Sequence, residues 1–126
     1  MTQEKRRRRP LYWVGSSKED LSAFPDEVKR VMGFALHAAQ TGGKHLDANP
    51  LKGFKGAGVL EVVEQHDGNA YRAVYTVRFA HSVYVLHAFQ KKSKKGIATP
   101  KSEIDLVKER LRRAEQDHEQ RSKSRK

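Results

Sequence analysis

Apolar residues recur along this 126-residue chain with two different periods, and the change of period marks its elements. Alternation and short apolar runs predict four strands, over residues 11–14, 59–65, 70–79 and 83–89. Recurrence every three or four residues predicts helices that begin at Ser16, Pro25 and Thr99. The chain therefore reads as strand, two helices, a three-stranded meander and a last helix.

Turn and capping residues support these boundaries. Ser16 and Glu19 have the spacing of a capping box, and Pro25 stands at a favoured first helical position. The pair Gly42-Gly43 ends the second helix, and residues 44–58 resemble an irregular loop because they contain one proline and several glycines. Asp67-Gly68-Asn69 is a hairpin signal between two strands.

This order predicts an α+β protein with a small, mainly antiparallel four-stranded sheet, an N-terminal helical hairpin packed on it and a C-terminal helix. A chain of this length buries one core, so we expect a single domain over residues 11–114. Residues 1–10 are expected to form a basic disordered tail. Residues 115–126 are expected to form a frayed or disordered charged tail, because no apolar residue follows Ala114.

The charge balance adds a partner to this picture. There are 26 Lys and Arg against 15 Asp and Glu, which gives a net charge of +11 and makes an anionic polymer the expected partner. The chain has no cysteine, so thiolate metal sites and disulfides are excluded, and a cytoplasmic location is the simplest expectation. No apolar run is long enough for a membrane span, and the histidines show no metal-ligand spacing.

The third predicted strand carries the most informative charged residue. Its alternation places one row of residues on a common face: Tyr71, Ala73, Tyr75, Val77 and Phe79. Arg72 projects from the other face, where it either grips a phosphate or pairs with Glu61 or Glu64 across the sheet. Sequence alone leaves both alternatives open.

Two other residues have a structural and a functional interpretation. His87 alternates with Val83, Val85 and Phe89, which favours a hydrogen-bonded core histidine over a catalytic base. Phe54 either stacks on a base or caps its loop, and the second is the commoner arrangement.

Three segments resemble the RelE/ParE toxin superfamily, and most closely its HigB-type, phage-associated branch. They are Asn49-Pro50-Leu51-Lys52-Gly53, Tyr71-Arg72-Ala73-Val74-Tyr75, and the run from Val85 to Lys95 that precedes Thr99-Pro100-Lys101-Ser102-Glu103-Ile104. The resemblance implies the RelE-like fold and the toxin of a type II toxin–antitoxin system. It also implies a metal-independent messenger-RNA endoribonuclease that acts on the ribosome without a cofactor, and a helix-turn-helix antitoxin as partner.

By the same resemblance, specific residues receive roles. The reaction uses the RNA 2′-hydroxyl as nucleophile, with Arg72, Lys91 and Lys92 as the catalytic residues. Neighbouring positive charges favour the neutral form of a lysine, which would allow one of the two lysines to transfer a proton. Four further lysines are expected to bind the RNA backbone: Lys52, Lys55, Lys94 and Lys95.

The chain also departs from the pattern of this family. Val63 occupies a position where the family has an arginine, and neither a tyrosine nor a histidine with an acid follows Lys95 before His118. A second class of function is therefore retained: a noncatalytic ParE-like inhibitor of DNA gyrase, or a basic RNA-binding module on the same fold.

Overall fold

The computed structural model describes residues 8–54, 56, 58–92 and 99–124, with only the backbone at residue 92. Strands and helices follow one another in the predicted order. The elements are β1 (Leu11–Trp13), α1 (Ser17–Ser22), α2 (Asp26–Gln40), β2 (Ala48–Pro50), β3 (Val59–His66), β4 (Asn69–Thr76), β5 (Val83–Lys92) and α3 (Lys101–Ser124).

The sheet has five strands in the order β1-β5-β4-β3-β2, not the four expected from sequence. The additional strand is β2, which lies in the segment expected to be an irregular loop and pairs antiparallel with β3. Its three residues, Ala-Asn-Pro, are too few to show a period. β1 is parallel to β5 and the other pairs are antiparallel, so the predicted α+β class and mainly antiparallel sheet are confirmed.

Both faces of the sheet are covered, and each has its own apolar cluster. α1 and α2 pack on one face, where Met32 and Tyr75 are fully buried. α3 packs on the other face, together with Val74 and Leu86. Because β4 lies in the middle of this sandwich, seven of its eight residues are buried, and its one arginine, Arg72, is paired with an acid inside the protein.

A β-bulge in β5 changes the faces that alternation predicts. Val74 pairs with His87 and Tyr75 pairs with Val85, so Leu86 is an extra residue in the ladder. His87 therefore faces α3 with Phe89, whereas Val83 and Val85 face α1 and α2; the expectation that all four share a face is wrong. The row from Tyr71 to Val77 is confirmed, but Phe79 packs on the α3 side because β4 ends at Thr76.

Helix starts follow the expected residues with one exception. Pro25 is the N-cap residue of α2, one position before the first helical residue expected for it, and α3 begins directly after Pro100. The capping box at the start of α1 does not form, because the Ser16 hydroxyl donates a hydrogen bond to the Asp20 carboxylate instead of capping a backbone N–H.

Each predicted tail has described residues that contact the rest of the fold. Arg9 exchanges hydrogen bonds with Gln40, and Pro10 accepts one from the N–H of Val83, so these two residues belong to the fold. The segment after Ala114 continues α3 to Ser124 rather than fraying. It is held by Tyr84, which donates to Asp117, and by Phe79, which stacks on His118 with ring centroids 4.2 Å apart.

Candidate functional site

Arg72 lies in the middle of β4 and is buried on the face that packs against α3. Its Nη1 lies 3.4 Å from both carboxylate oxygens of Glu61 and donates to the Thr99 hydroxyl at 3.0 Å. Thr99 in turn donates to Glu61 at 2.6 Å. Of the two arrangements left open by the sequence, the structure shows pairing with Glu61; Glu64 is opposite Tyr71 and belongs to the other face.

Lys91 is an exposed lysine on the same face of the sheet as Arg72. It pairs with Ala70 in the ladder, and Arg72 pairs with Phe89, so Lys91 and Arg72 are diagonal neighbours on adjacent strands. Such neighbours have backbones about 7–8 Å apart, within reach of long side chains. Lys91 and Lys92 lie just beyond the strand predicted over residues 83–89, but in the structure they are the last two residues of β5, where Lys92 pairs with Asn69.

The other predicted RNA-binding lysines are separate from this pair. Lys52 is exposed in the turn after β2, beside Leu51, whose N–H donates to Val59. On β3, Val59 is four residues from Val63, the residue that pairs with Arg72. Four residues are about 13 Å along a strand, so Lys52 lies well away from Arg72. Three predicted residues, Lys55, Lys94 and Lys95, lie outside the described residues. Phe54 is buried, as expected for an aromatic residue that caps its loop.

A second polar cluster surrounds the bulge. The Nε2 of His87 lies 2.8 Å from Glu103, and its Nδ1 lies 3.3 Å from the Arg110 guanidinium. Since a guanidinium can only donate, Nδ1 accepts and Nε2 carries the proton that is donated to Glu103. Both ring nitrogens are thus engaged, which supports the core role expected for His87.

Arg110 connects this cluster to α1. Its guanidinium also donates to the carbonyl of Leu86 and to the hydroxyl of Ser16, which donates to Asp20. Burial lowers the pKa of Arg110. Sequence reasoning missed Glu103 and Arg110 as partners of His87. The sequence did contain a signal for them. Glu103 and Arg110 fall at the three- and four-residue spacing of the buried residues of α3, not on its exposed face.

A cleft of about 350 Å³ opens next to these residues, between α1 and the second half of β5. It arises because β1 pairs only with the first residues of β5 and leaves the rest of that edge to α1. Its lining combines apolar, aromatic and acidic side chains: Asp20, Ala23, Phe24, His87, Ala88, Phe89, Gln90 and Glu103.

Two further properties bear on the chemistry of the site. Within the described ranges, no group of three or more histidine and acidic side chains is arranged to hold a metal ion. None of the helices in the described part of the chain is long and apolar enough to cross a membrane.

Comparison with known proteins gives a family and one similar structure. Residues 19–112 match the family of phage-derived Gp49-like proteins. The structure is similar to a chain in the crystal structure of the toxin–antitoxin complex RelBE2 from Mycobacterium tuberculosis, with a TM-score of 0.45 and 20% identity, covering 72% of this chain and 100% of that one. No curated protein matches the chain.

Proposed function

The chain belongs to the phage-derived Gp49-like family, which is a family of RelE/HigB-type toxins, and we propose that this toxin is an endoribonuclease that cuts messenger RNA. The observation that carries the proposal is the placement of Arg72 and Lys91 on one face of adjacent strands. Fixed cations at this spacing suit a phosphodiester, whose negative charge increases in the transition state. The proposed substrate is messenger RNA on the ribosome, in the cytoplasm.

The proposed reaction needs no metal or cofactor. The RNA 2′-hydroxyl attacks the adjacent phosphorus, the 5′-oxygen leaves, and the protein positions the reacting atoms, neutralises the phosphate and moves the two protons. Arg72 would neutralise the phosphate, because a guanidinium binds two oxygens at once. Lys91 and Lys92 are assigned to charge neutralisation and proton transfer.

The ion pair of Arg72 imposes a condition on this reaction. In this structure Glu61 and Thr99 both contact the Nη1 of Arg72, so a phosphate would have to compete with them for that donor. Lys91 is exposed and would meet the RNA first, so its charge offsets part of the cost of that exchange. Lys52, Lys55, Lys94 and Lys95 are proposed to hold the neighbouring backbone electrostatically.

The proposed protein partner is a helix-turn-helix antitoxin that covers the basic face with acidic side chains. Oppositely charged surfaces would guide its association and determine its orientation. Reversing the charges with Lys91→Glu and Lys92→Glu should then weaken the complex by at least tenfold, measured by calorimetry with the cognate antitoxin. An unchanged affinity would contradict this part of the proposal.

One observation favours the noncatalytic alternative. Arg72 is buried and bound to Glu61 and Thr99, an arrangement that also serves simply to join β3, β4 and the start of α3. In that case the toxin would inhibit by binding, either to DNA gyrase or to RNA.

The experiment that separates these functions maps transcript 5′ ends shortly after controlled expression. Cleavage predicts new 5′-hydroxyl ends within coding regions, and their loss in Arg72→Ala and Lys91→Ala. Lys108→Ala is the matched control, because Lys108 is an exposed lysine on α3 outside the site. Circular dichroism of each purified variant establishes that it is folded.

Two outcomes would contradict the proposal. A folded Arg72→Ala protein that arrests growth as wild type does would remove the assigned role of Arg72. Intact transcripts accompanied by DNA damage and altered supercoiling would instead support gyrase inhibition.

A further inference from the structure

The bulge in β5 determines on which face of the sheet Lys91 lies. With Leu86 as the extra residue, Val74 pairs with His87, and the ladder then continues regularly until Ala70 pairs with Lys91. Paired residues lie on the same face of a sheet, so Lys91 lies on the face that α3 covers.

A ladder without the bulge would give a different face to every later residue of β5. Leu86 itself would then oppose Val74, and each following residue would shift by one position. A shift of one residue moves a side chain to the other face. The neutral Gln90 would take the position of Lys91 beside Arg72, and Lys91 would turn toward α1 and α2.

Arg110 binds the two residues that the bulge brings together. The extra residue of a bulge is left out of the ladder, and here the carbonyl group of Leu86 is buried. Nη1 of Arg110 donates to this carbonyl at 3.0 Å and lies 3.3 Å from Nδ1 of His87. A buried carbonyl without a donor is costly, so this guanidinium group stabilises the bulge.

The surroundings hold the Arg110 guanidinium in this position. It also donates to the Ser16 hydroxyl at 3.2 Å, and Glu103 holds the His87 ring from its other nitrogen at 2.8 Å. Gly15 lies against the guanidinium with a φ of +58°, and a Cβ atom at this position would be 2.9 Å from it. Another residue at position 15 would therefore displace the guanidinium from the bulge.

Hydrophobic packing contributes to the same register. Phe89 belongs to the cluster under α3, whereas Ala88 belongs to the cluster under α1 and α2. However, a ladder without the bulge would pair the Leu86 carbonyl with β4, which packing alone does not offset. The hydrogen bond from Arg110 removes this advantage of the unbulged ladder.

We propose that Arg110 is a positioning residue of the RNA site, because it holds the bulge that places Lys91 beside Arg72. This role rests on the proposed function, in which Lys91 and Arg72 are the cations that contact the RNA phosphate. Arg110 is buried and acts through the register of β5, not by contact with RNA.

Backbone protons report this register directly. Asn69 closes a two-residue hairpin with His66, so the alternation of the ladder makes Tyr71 and Gln90 a non-hydrogen-bonded pair. In such pairs the Cα atoms are about 4.5 Å apart. We expect a nuclear Overhauser effect between the Hα protons of Tyr71 and Gln90 in the wild-type protein, and between Tyr71 and Phe89 in the unbulged register.

Arg110→Met keeps the length of the side chain and removes its donors. The ratio of bulged to unbulged register should fall by about tenfold or more, so that the contact between Tyr71 and Phe89 appears. Transcript cleavage should fall in parallel. Arg112→Met is the matched control, because Arg112 is an exposed arginine on the same helix, and it should change neither quantity. Circular dichroism establishes that each variant is folded.

Deletion of Leu86 tests whether Arg110 acts through the bulge. The shortened strand pairs without an extra residue, so its later residues keep their partners and faces. In this background Arg110→Met should leave the contact between Tyr71 and Gln90 unchanged. If Arg110→Met alone does not fold, the deletion should restore folding. A deletion protein that depends on Arg110 as strongly as the full-length protein would overturn the proposal.

Register and cleavage are measured separately, so the two proposals can fail separately. A folded Arg110→Met protein with only the wild-type contacts would overturn the positioning role, even if its cleavage were lost. Cleavage that persists after the register has changed would overturn it as well. A register change in Arg110→Met, with intact transcripts even for the wild-type protein, would keep the control of Lys91 by Arg110 and reject the nuclease.

Discussion

Arg72 shows how burial changes what a charged side chain can do. In the sequence it is one of 26 basic residues, but in the fold it contacts Glu61 and Thr99, which also contact each other. An ion pair removed from water is held by geometry and hydrogen bonds, and breaking it by removing one partner leaves the other charge buried. The stability of the fold and the availability of this cation are therefore linked.

The first prediction concerns this ion pair. Arg72→Ala should lower the free energy of unfolding by about 3 kcal/mol, because Glu61 keeps a buried charge without its cation. Adding Glu61→Gln to the same protein should recover part of the loss, since the charge is then absent. Urea denaturation measures both variants, and a wild-type midpoint for Arg72→Ala would show that the ion pair does not stabilise the fold.

The second prediction concerns Tyr75, whose buried hydroxyl has no hydrogen-bond partner among the described residues. Burial raises its pKa from 10.0 to about 12. Between these values the unfolded phenol ionises while the folded one stays protonated, so stability falls as pH rises through this window.

Tyr75→Phe should reduce that alkaline loss of stability and add about 1 kcal/mol at pH 7, because an unsatisfied buried group is removed. Denaturation midpoints at pH 7 and pH 11 give both quantities. The same drop between the two pH values in the variant and in the wild type would contradict the explanation.

At the scale of elements, the second half of α3 is the main departure from the sequence pattern. It contains no aliphatic residue after Ala114, yet it stays helical because its aromatic and polar side chains find partners on the sheet. Asp117 binds Tyr84, His118 stacks on Phe79, and Arg121 lies over the Tyr12 ring at 3.8 Å from its centroid. Hydrophobic periodicity does not detect contacts of this kind.

The third prediction tests this attachment through pH. Burial opposes ionisation of Asp117, but hydrogen bonds from Tyr84 and Arg121 outweigh it and lower its pKa below 3.8. A lowered pKa contributes stability that is present above pH 3.8 and disappears as the pH falls through the folded-state value.

Asp117→Asn should therefore cost about 1 kcal/mol at pH 7, a modest value because the site is partly exposed. The difference from wild type should shrink when urea denaturation is repeated near pH 2. A constant difference across that range would mean that the charge of Asp117 does not stabilise the attachment.

For the whole molecule, the excess of positive charge determines how it meets RNA. The net charge of +11 acts at long range and is screened by salt, whereas the Arg72 site acts only after contact. Association with RNA and the proposed cleavage are thus expected to depend on different parts of the protein.

The fourth prediction separates these contributions. The logarithm of the affinity for single-stranded RNA should fall linearly with the logarithm of salt concentration, by about 0.7 per phosphate neutralised. Lys91→Ala should reduce the slope by about 0.7, whereas Lys108→Ala, outside the site, should leave it nearly unchanged. Anisotropy titrations over about a sixfold range of salt concentration, roughly 50 to 300 mM, measure the slope for each variant. If Lys91→Ala keeps the wild-type slope, Lys91 does not contact a phosphate.

Much of the fold could be read from local pattern. Element order, the start of α2 directly after Pro25 and the hairpin at Asp67-Gly68 depend on neighbouring residues, so the sequence reveals them. β2 and the bulge at Leu86 could not be read, because a three-residue strand has no period and a bulge depends on its partner strand. Of the candidate site, Arg72 and Lys91 were identified as cations, but the partners of Arg72 were open and the cleft was missed.

By itself, the sequence determined the α+β class, the positive charge and the motifs shared with the toxin family, because composition and short-range spacing carry this information. Only the tertiary structure decided which cations are exposed and which are paired. Glu61, Arg72 and Thr99 are 11 and 27 residues apart in sequence and meet only when β3, β4 and the start of α3 pack together. The cleft likewise exists because β1 stops short of the end of β5, which no local pattern records.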